Sequence, residues 1–183
     1  FDILRIASRD RTGLFATIAG VLAVHSLDVV DAAATTAADG VAVDEFRILR
    51  RPGTEPDWER VERDLRGALA GEVDIDARIE QRLKTGTRIR RAQAAAPPRL
   101  EVLVSNDASA STTVVEVRAP DGLAVLYRLS HAVSGLGLDI RSAKVATLGH
   151  EVVDVFYVRD ATSPSGKVPD GDVSRVDAAL REA

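Results

Sequence analysis

The residues best suited to chemistry lie in one short turn, Arg9–Phe15 (RDRTGLF), between a strand-like run and a helix-like run. Backbone N–H groups at the start of a helix lack partners within the helix, so they attract a carboxylate or a phosphate. Gly13 lets a ligand approach the backbone closely, and Asp10 could either receive an ammonium group or cap the helix. The turn therefore predicts a small-ligand site that consists of Asp10, Arg11, Thr12, Gly13, Leu14 and Phe15.

Other kinds of site lack their sequence signatures. The chain has no cysteine, which excludes disulfides, thiolate metal sites and cysteine nucleophiles. It has no Gly-x-Ser-x-Gly, phosphate-loop or Gly-x-Gly-x-x-Gly motif. Its three histidines, His25, His131 and His150, show no metal-binding spacing, and we expect the first two to be surface or packing residues. We therefore expect no catalytic residue, no metal and no cofactor in this chain.

Composition limits the partners. The chain has 183 residues, of which 45% are hydrophobic, so it predicts a globular protein. Domains that bind nucleic acid are normally basic, and the net charge of −4 disfavours that partner. No apolar run reaches the ~20 residues of a membrane span, and the lack of cysteine fits the cytoplasm. The chain has no methionine and begins at Phe1 inside a strand-like run, so we expect a C-terminal piece of a longer protein.

One internal repeat organises the chain, and it is visible as matched residues at a nearly constant spacing. The spacing is 111 residues between Asp10 and Asp121, Leu27 and Leu138, and Thr36 and Thr147, and 110 residues between Asp44 and Asp154 and between Phe46 and Phe156. Two long repeats predict two domains of one fold, because a solenoid needs about three units.

Apolar residues alternate, or recur at helical spacing, in the same order in both copies. Each copy therefore predicts strand, helix, strand, strand and helix, and Arg99–Ser105 (RLEVLVS) is expected to add the fourth strand of copy one. The predicted fold class is α+β, with two βαββαβ domains in tandem. The first comprises residues 1–71 (copy one) plus 99–105, and the second comprises residues 106–183 (copy two), with its last strand possibly missing. Residues 72–98 form a charged insertion and an Ala/Pro linker between them.

A second candidate segment begins the second strand of each copy. It consists of Asp28, Val29, Val30 and Asp31 in copy one, and of Asp139, Ile140, Arg141 and Ser142 in copy two. Asp28 and Asp139 could also be ordinary turn residues between helix and strand. The glycine turn recurs in copy two as Asp121, Ala124, Val125 and Leu126. Because alanine replaces glycine there, we expect an altered or weaker site.

Asp44 and Asp154 recur beside an aromatic residue on the third strand of each copy. An isolated buried carboxylate is costly. We therefore expect both to have a hydrogen-bonded structural role, with ligand contact as the alternative.

The segment between the copies carries no motif. Apolar residues at helical spacing permit a short helix there, namely Val73, Ile75, Ile79 and Leu83. A basic cluster follows, which consists of Arg82, Lys84, Arg88, Arg90 and Arg91. We expect a solvated connector, and the alternative is a docking patch for an acidic neighbour.

Several of these runs resemble a known family. The turn Asp10–Phe15, together with Asp31-Ala32, Thr36 and Val43–Phe46, resembles an ACT domain, and Asp121–Val125 with Ser142–Val158 resembles a second. The run Ala143–Val158 (AKVATLGHEVVDVFYV) is similar to the C-terminal tandem ACT region of bifunctional PII uridylyltransferase/uridylyl-removing enzymes. The Arg- and Ala-rich composition suggests an actinobacterial form, in which the transferred group could be adenylyl.

The resemblance implies ferredoxin-like ACT domains that sense glutamine and control upstream catalytic domains in nitrogen regulation. In this family, the Asp-x-x-Gly loop of one copy faces the start of the second strand in another, and an amino acid binds between them. The implied partners are free glutamine, upstream nucleotidyltransferase domains that use Mg²⁺ and a nucleoside triphosphate, the PII protein through those domains, and another ACT domain. Two alternatives stay open, a stand-alone ACT-repeat regulatory or interaction protein and the ACT region of another enzyme of amino-acid metabolism.

Overall fold

The computed structural model describes residues 1–50, 53, 55–86, 100–148 and 151–183. Copy one contains β1 (Asp2–Arg9), α1 (Leu14–Val24), β2 (Val29–Thr36), β3 (Val41–Ile48) and α2 (Trp58–Leu69). A helix, α3 (Ile75–Gly86), and a strand, β4 (Glu101–Ser105), follow. Copy two contains β5 (Thr113–Pro120), α4 (Val125–Gly135), β6 (Asp139–Leu148), β7 (Glu151–Arg159) and α5 (Val173–Glu182). The order strand, helix, strand, strand and helix occurs twice, as the repeat predicts, and the α+β class is confirmed.

The strands form one antiparallel sheet in the order β1-β3-β2-β6-β7-β5-β4. Its centre is the pairing of β2 with β6, where Ala32 lies opposite Ala143. Beside this pair, Lys144 Nζ donates to Asp31 Oδ1 at 2.5 Å. The two copies therefore join edge to edge through their second strands, and each covers an edge that the other would leave unpaired. This arrangement is compatible with two ferredoxin-like units side by side.

The prediction that the fourth strand pairs within copy one is wrong. The sequence predicts Arg99–Ser105 as a strand of copy one, but β4 pairs with β5, with Val102 opposite Val117. Only seven residues separate β4 from β5, and Thr113 Oγ1 donates to Asn106 Oδ1 at 2.6 Å within that connection. A short connection favours antiparallel pairing with the next strand, as in a hairpin. Within the described ranges, copy two therefore has four strands, while copy one has three, with β1 as the outermost strand of the described sheet.

The helices cover one face of the sheet. As a result, buried residues alternate along the strands with residues that are more exposed. Phe46 and Phe156, which are repeat counterparts, are both fully buried. The ring of Phe15 on α1 packs against Phe46 with a centroid distance of 5.0 Å. The register of the repeat thus places a buried phenylalanine at the same position of the third strand in each copy.

The predicted helix of the connecting segment is confirmed as α3, which packs where the two copies meet. Tyr127 Oη of α4 donates to Asp76 Oδ1 at 2.6 Å, and Arg78 forms a 2.7 Å ion pair with Asp64 on α2. A Cβ atom on Gly20 of α1 would lie 2.5 Å from Ile75 Cγ2 and 2.7 Å from the Tyr127 ring. Gly20 therefore permits the close approach of α1, α3 and α4.

The basic cluster is described only in part. Arg82 donates to Val24 O and to Ser26 Oγ at the end of α1, and Lys84 lies 3.4 Å from Glu80. Arg88, Arg90 and Arg91 lie outside the described residues. The docking alternative therefore stays a prediction.

Candidate functional site

The turn between β1 and α1 has the open backbone that its sequence predicts. Gly13 adopts a left-handed conformation with φ of 79° immediately before α1, and no side chain caps the helix. Asp10 is held instead by Thr36 of β2, whose Oγ1 donates to Asp10 Oδ2 at 2.9 Å. The capping alternative for Asp10 is therefore wrong. Of the N–H groups at the turn, that of Leu14 donates to Arg11 O at 3.1 Å.

A small cavity of about 40 Å³ lies between this turn and copy two. Copy one contributes residues from the turn and from the helix-facing side of its sheet, namely Asp10, Arg11, Gly13, Leu14, Phe15, Ala34, Thr36, Ala42 and Asp44. Copy two contributes the end of α4 and the start of β6, namely Ser134, Leu138, Asp139, Ile140 and Arg141. We call this space the inter-copy cavity. The glycine turn of one copy thus faces the start of the second strand of the other.

The structure brings together eight of the predicted site residues and leaves the others elsewhere. Those that line the inter-copy cavity are Asp10, Arg11, Gly13, Leu14, Phe15, Asp139, Ile140 and Arg141. Those that do not line it are Thr12, Ser142, Asp28, Val29, Val30, Asp31, Asp121, Ala124, Val125 and Leu126. Among the latter, Asp31 pairs with Lys144 at the central joint.

Charges of both signs line the inter-copy cavity. Burial raises the pKa of Asp44 to about 6, the negative charge of Asp10 adds to this, and Arg141 offsets it. Burial also raises the pKa of Asp139, again with Asp10 adding to the effect and Arg141 opposing it. Because these four groups line the same cavity, they lie close enough to act on one ligand. The cavity can therefore receive an anionic and a cationic group together.

The expected hydrogen-bonded role of Asp44 and Asp154 is wrong. Asp44 is 2% exposed and Asp154 is 1% exposed, yet Asp44 Oδ2 and both Asp154 carboxylate oxygens have no hydrogen-bond partner within the described part of the chain. Burial raises the pKa of Asp154 to about 7, with Asp121 adding to the effect. Both aspartates recur at one register of a buried strand face, and that recurrence was the available signal for an unusual role.

The turn between β5 and α4 repeats the backbone shape of the turn between β1 and α1. The positive charge of Arg141, in contrast, has no counterpart at the matching position of copy one. Ala124 occupies the position of Gly13 and adopts φ of 60°. An alanine in this region carries a conformational strain of roughly 1–2 kcal/mol, so the shape of the turn is kept despite the sequence change. At the spacing of 111 residues, Val30 corresponds to Arg141. The counterpart segment of copy one therefore lacks the cation that Arg141 supplies.

The two described histidines contact side chains on the helices. His25 Nε2 lies 2.9 Å from Asp64 Oδ2, and the His131 ring packs 5.5 Å from that of Tyr127. Residue His150 lies outside the described residues. Across the described ranges there is no group of three or more side chains suited to a metal ion. No helix in those ranges is long and apolar enough to cross a membrane.

Comparison with known proteins adds relatives over nearly the whole chain. A bifunctional uridylyltransferase/uridylyl-removing enzyme of Streptomyces coelicolor is 37% identical over 187 residues, covering 98% of this chain and 22% of that protein. The proteins of the same name from Rhodospirillum rubrum and Gluconobacter oxydans are 35% and 38% identical, covering 85% and 86% of this chain and 17% of each. The chain is homologous to one region of these enzymes. It spans about a fifth of their length.

Two other comparisons are less informative. No family model matches the chain. An unknown protein from Galdieria sulphuraria, solved by crystallography, covers 98% of this chain at 12% identity, with a TM-score of 0.30.

Proposed function

We propose that this chain is the amino-acid-sensing regulatory region of a bifunctional uridylyltransferase/uridylyl-removing enzyme, and that its ligand is glutamine. The observation that supports this best is the inter-copy cavity, which combines the start of α1, Arg141 and acidic side chains. A free amino acid carries a carboxylate and an ammonium group on one carbon, so it needs such a pair of charged walls. The choice of enzyme rests on the name of the relatives, and the choice of glutamine rests on the resemblance to ACT domains.

The two ends of the ligand have natural partners. The positive end of the α1 dipole and the Arg141 guanidinium favour the carboxylate, and the acidic side chains favour the ammonium group. The side-chain carboxamide of glutamine is neutral and has both donors and an acceptor. Glutamate would bring a second carboxylate beside Asp10 and Asp139, where like charges repel. The cavity therefore favours glutamine over glutamate.

The size of the cavity links binding to movement. A cavity of about 40 Å³ has room for water molecules rather than for an amino acid. Since its walls belong to different copies, we propose that ligand entry changes the position of one copy against the other. Such a change biases attached domains only if the ligand binds the two arrangements unequally, and coupling of this kind is commonly worth ~1–3 kcal/mol.

In the parent enzyme this change would control the catalytic domains. Those domains would use Mg²⁺ and a nucleoside triphosphate to modify the PII protein, and glutamine binding would bias their activity. The chain itself would contribute binding and movement, and the chemistry would take place upstream.

Calorimetric titration of the chain with each of the twenty amino acids tests the proposal. We expect glutamine to bind more tightly than the other amino acids. Arg141→Ala should lower the affinity for glutamine about 10-fold or more, since a charge-assisted hydrogen bond is worth ~1.5–3 kcal/mol. Arg118→Ala, which removes an arginine paired with Glu116 on the opposite side of copy two, is the matched control and should bind normally. A chain that binds none of the amino acids would contradict the proposal.

A further inference from the structure

Asp44 is the most anomalous group in the inter-copy cavity. It lies in the middle of β3, opposite Ile6 of β1 and Ala34 of β2. It is 2% exposed, and its Oδ2 has no hydrogen-bond partner in the described ranges. A buried carboxylate without partners is costly, and buried polar groups are nearly always satisfied. Because Asp44 also lines the inter-copy cavity, a partner that arrives from outside the chain can reach it.

The other charged groups of the cavity do not supply that partner. Asp10 is held by Thr36, and its negative charge repels that of Asp44. Arg141 attracts Asp44, but neither a hydrogen bond nor an ion pair joins the two side chains. Arg11 and Asp139 also line the cavity. The missing partner must be a donor that fits between these groups, and a cation would gain most from an unpaired buried carboxylate.

We propose that Asp44 is the acceptor for the α-ammonium group of the amino acid that enters the inter-copy cavity, with Arg141 and the start of α1 receiving its carboxylate. This assignment rests on the proposed function. It makes Asp44 a ligand-contacting residue that selects molecules with a free amino group. Its carboxylate is kept buried and unpartnered because the ligand satisfies it.

Copy two provides a matched control. Asp154 is the repeat counterpart of Asp44, is equally buried and is equally without a partner. It does not line the inter-copy cavity, and the position that would correspond to Arg141 is occupied by Val30. Asp154→Asn therefore removes the same kind of buried charge without touching the assigned ligand contact.

The experiment titrates the chain with glutamine and with glutaramate, which is glutamine without its α-amino group. The unaltered chain should bind glutamine about 10- to 100-fold more tightly than glutaramate, as a charge-assisted hydrogen bond in a buried site implies. Asp44→Asn should lower the affinity for glutamine by a similar factor and leave the affinity for glutaramate nearly unchanged. The preference for glutamine over glutaramate should therefore disappear. Asp154→Asn should keep the affinities and the preference of the unaltered chain.

The outcomes separate the two proposals. If the unaltered chain binds glutamine and Asp44→Asn binds it equally well, the Asp44 assignment is wrong and the sensor function stands. If the unaltered chain binds glutamine and glutaramate equally, the assignment fails without any variant, so a folding defect cannot hide the result. If the chain binds neither glutamine nor another amino acid, both proposals fall.

Discussion

At the scale of single residues, two buried carboxylates control how stability depends on pH. The pKa values of Asp44 and Asp154 are raised from 3.8 to about 6 and about 7 in the folded chain. The folded state therefore holds these protons more tightly than the unfolded state, and protonation favours folding. Their contribution to stability is present below pH ~4 and is lost as the pH rises through 6 and 7. The stabilisation of the folded state by these two groups is therefore greatest at acidic pH.

We expect Asp44→Asn and Asp154→Asn each to raise the free energy of unfolding at pH 8, on the order of 1–3 kcal/mol, because each removes a buried unpaired charge. The gain should shrink towards pH 5, where the native aspartates become protonated. Urea unfolding of the three chains at pH 5 and pH 8 measures this. A variant less stable than the unaltered chain at pH 8 would show that the carboxylate has a stabilising partner.

The turn glycine gives a second prediction at this scale. Gly13→Ala should unfold more easily by about 1 kcal/mol, since alanine is strained at positive φ, but Ala124 shows that the same turn accepts alanine. The added Cβ would meet nothing within 4 Å and would occupy space at the inter-copy cavity, so glutamine affinity should fall about 10-fold. Gly71→Ala, also at positive φ but between α2 and α3, where an added Cβ likewise meets nothing within 4 Å, should lose similar stability and keep its affinity. Equal affinities of the two variants would place the ligand elsewhere.

At the scale of elements, α3 depends on one close helix contact. Gly20→Ala should lower the free energy of unfolding by about 1–3 kcal/mol, because its methyl would overlap Ile75 and Tyr127. The control is Gly135→Ala near the end of α4, where an added Cβ meets nothing within 4 Å. That variant should be neutral or slightly stabilised, since alanine favours helix over glycine. If urea unfolding shows that Gly135→Ala is less stable than Gly20→Ala, α3 does not pack against α1 at Gly20.

The repeat predicts most elements correctly, because periodicity and turn residues are local signals. The helix beginning after Asp57, for example, has Asp57 accepting from Arg60 N at 3.0 Å, as a capping aspartate should. The partner of β4 was not predictable in this way, since the alternation in Arg99–Ser105 suits the edge of either copy. For the site, spacing identified the turn and the start of β6. The isolation of Asp44 depends on what surrounds it in three dimensions, and no local pattern reports that.

At the scale of the whole molecule, the two copies are unequal as folding units. Residues 100–183 contain the four described strands and the two α-helices of copy two. Arg181 of α5 donates to Leu100 O, just before β4, and to Val102 O on β4. We expect a fragment of residues 100–183 to fold alone and a fragment of residues 106–183 to be much less stable, because the latter exposes the edge of β5. Circular dichroism and urea unfolding compare them. Equal stability of the two fragments would mean that β4 adds nothing to copy two.

The central joint between β2 and β6 also determines how far a movement at the cavity is transmitted. Neighbouring strands lie about 4.8 Å apart, so the outermost strands β1 and β4 lie roughly 12 Å and 17 Å from the joint. A rotation of about 10° around the joint would displace those strands by roughly 2 Å and 3 Å, which is comparable to a strand's half-spacing. If the proposed ligand opens the inter-copy cavity, the seven-stranded sheet would act as a lever whose fulcrum adjoins that cavity. An opening too small to disturb the core would then be magnified at β1.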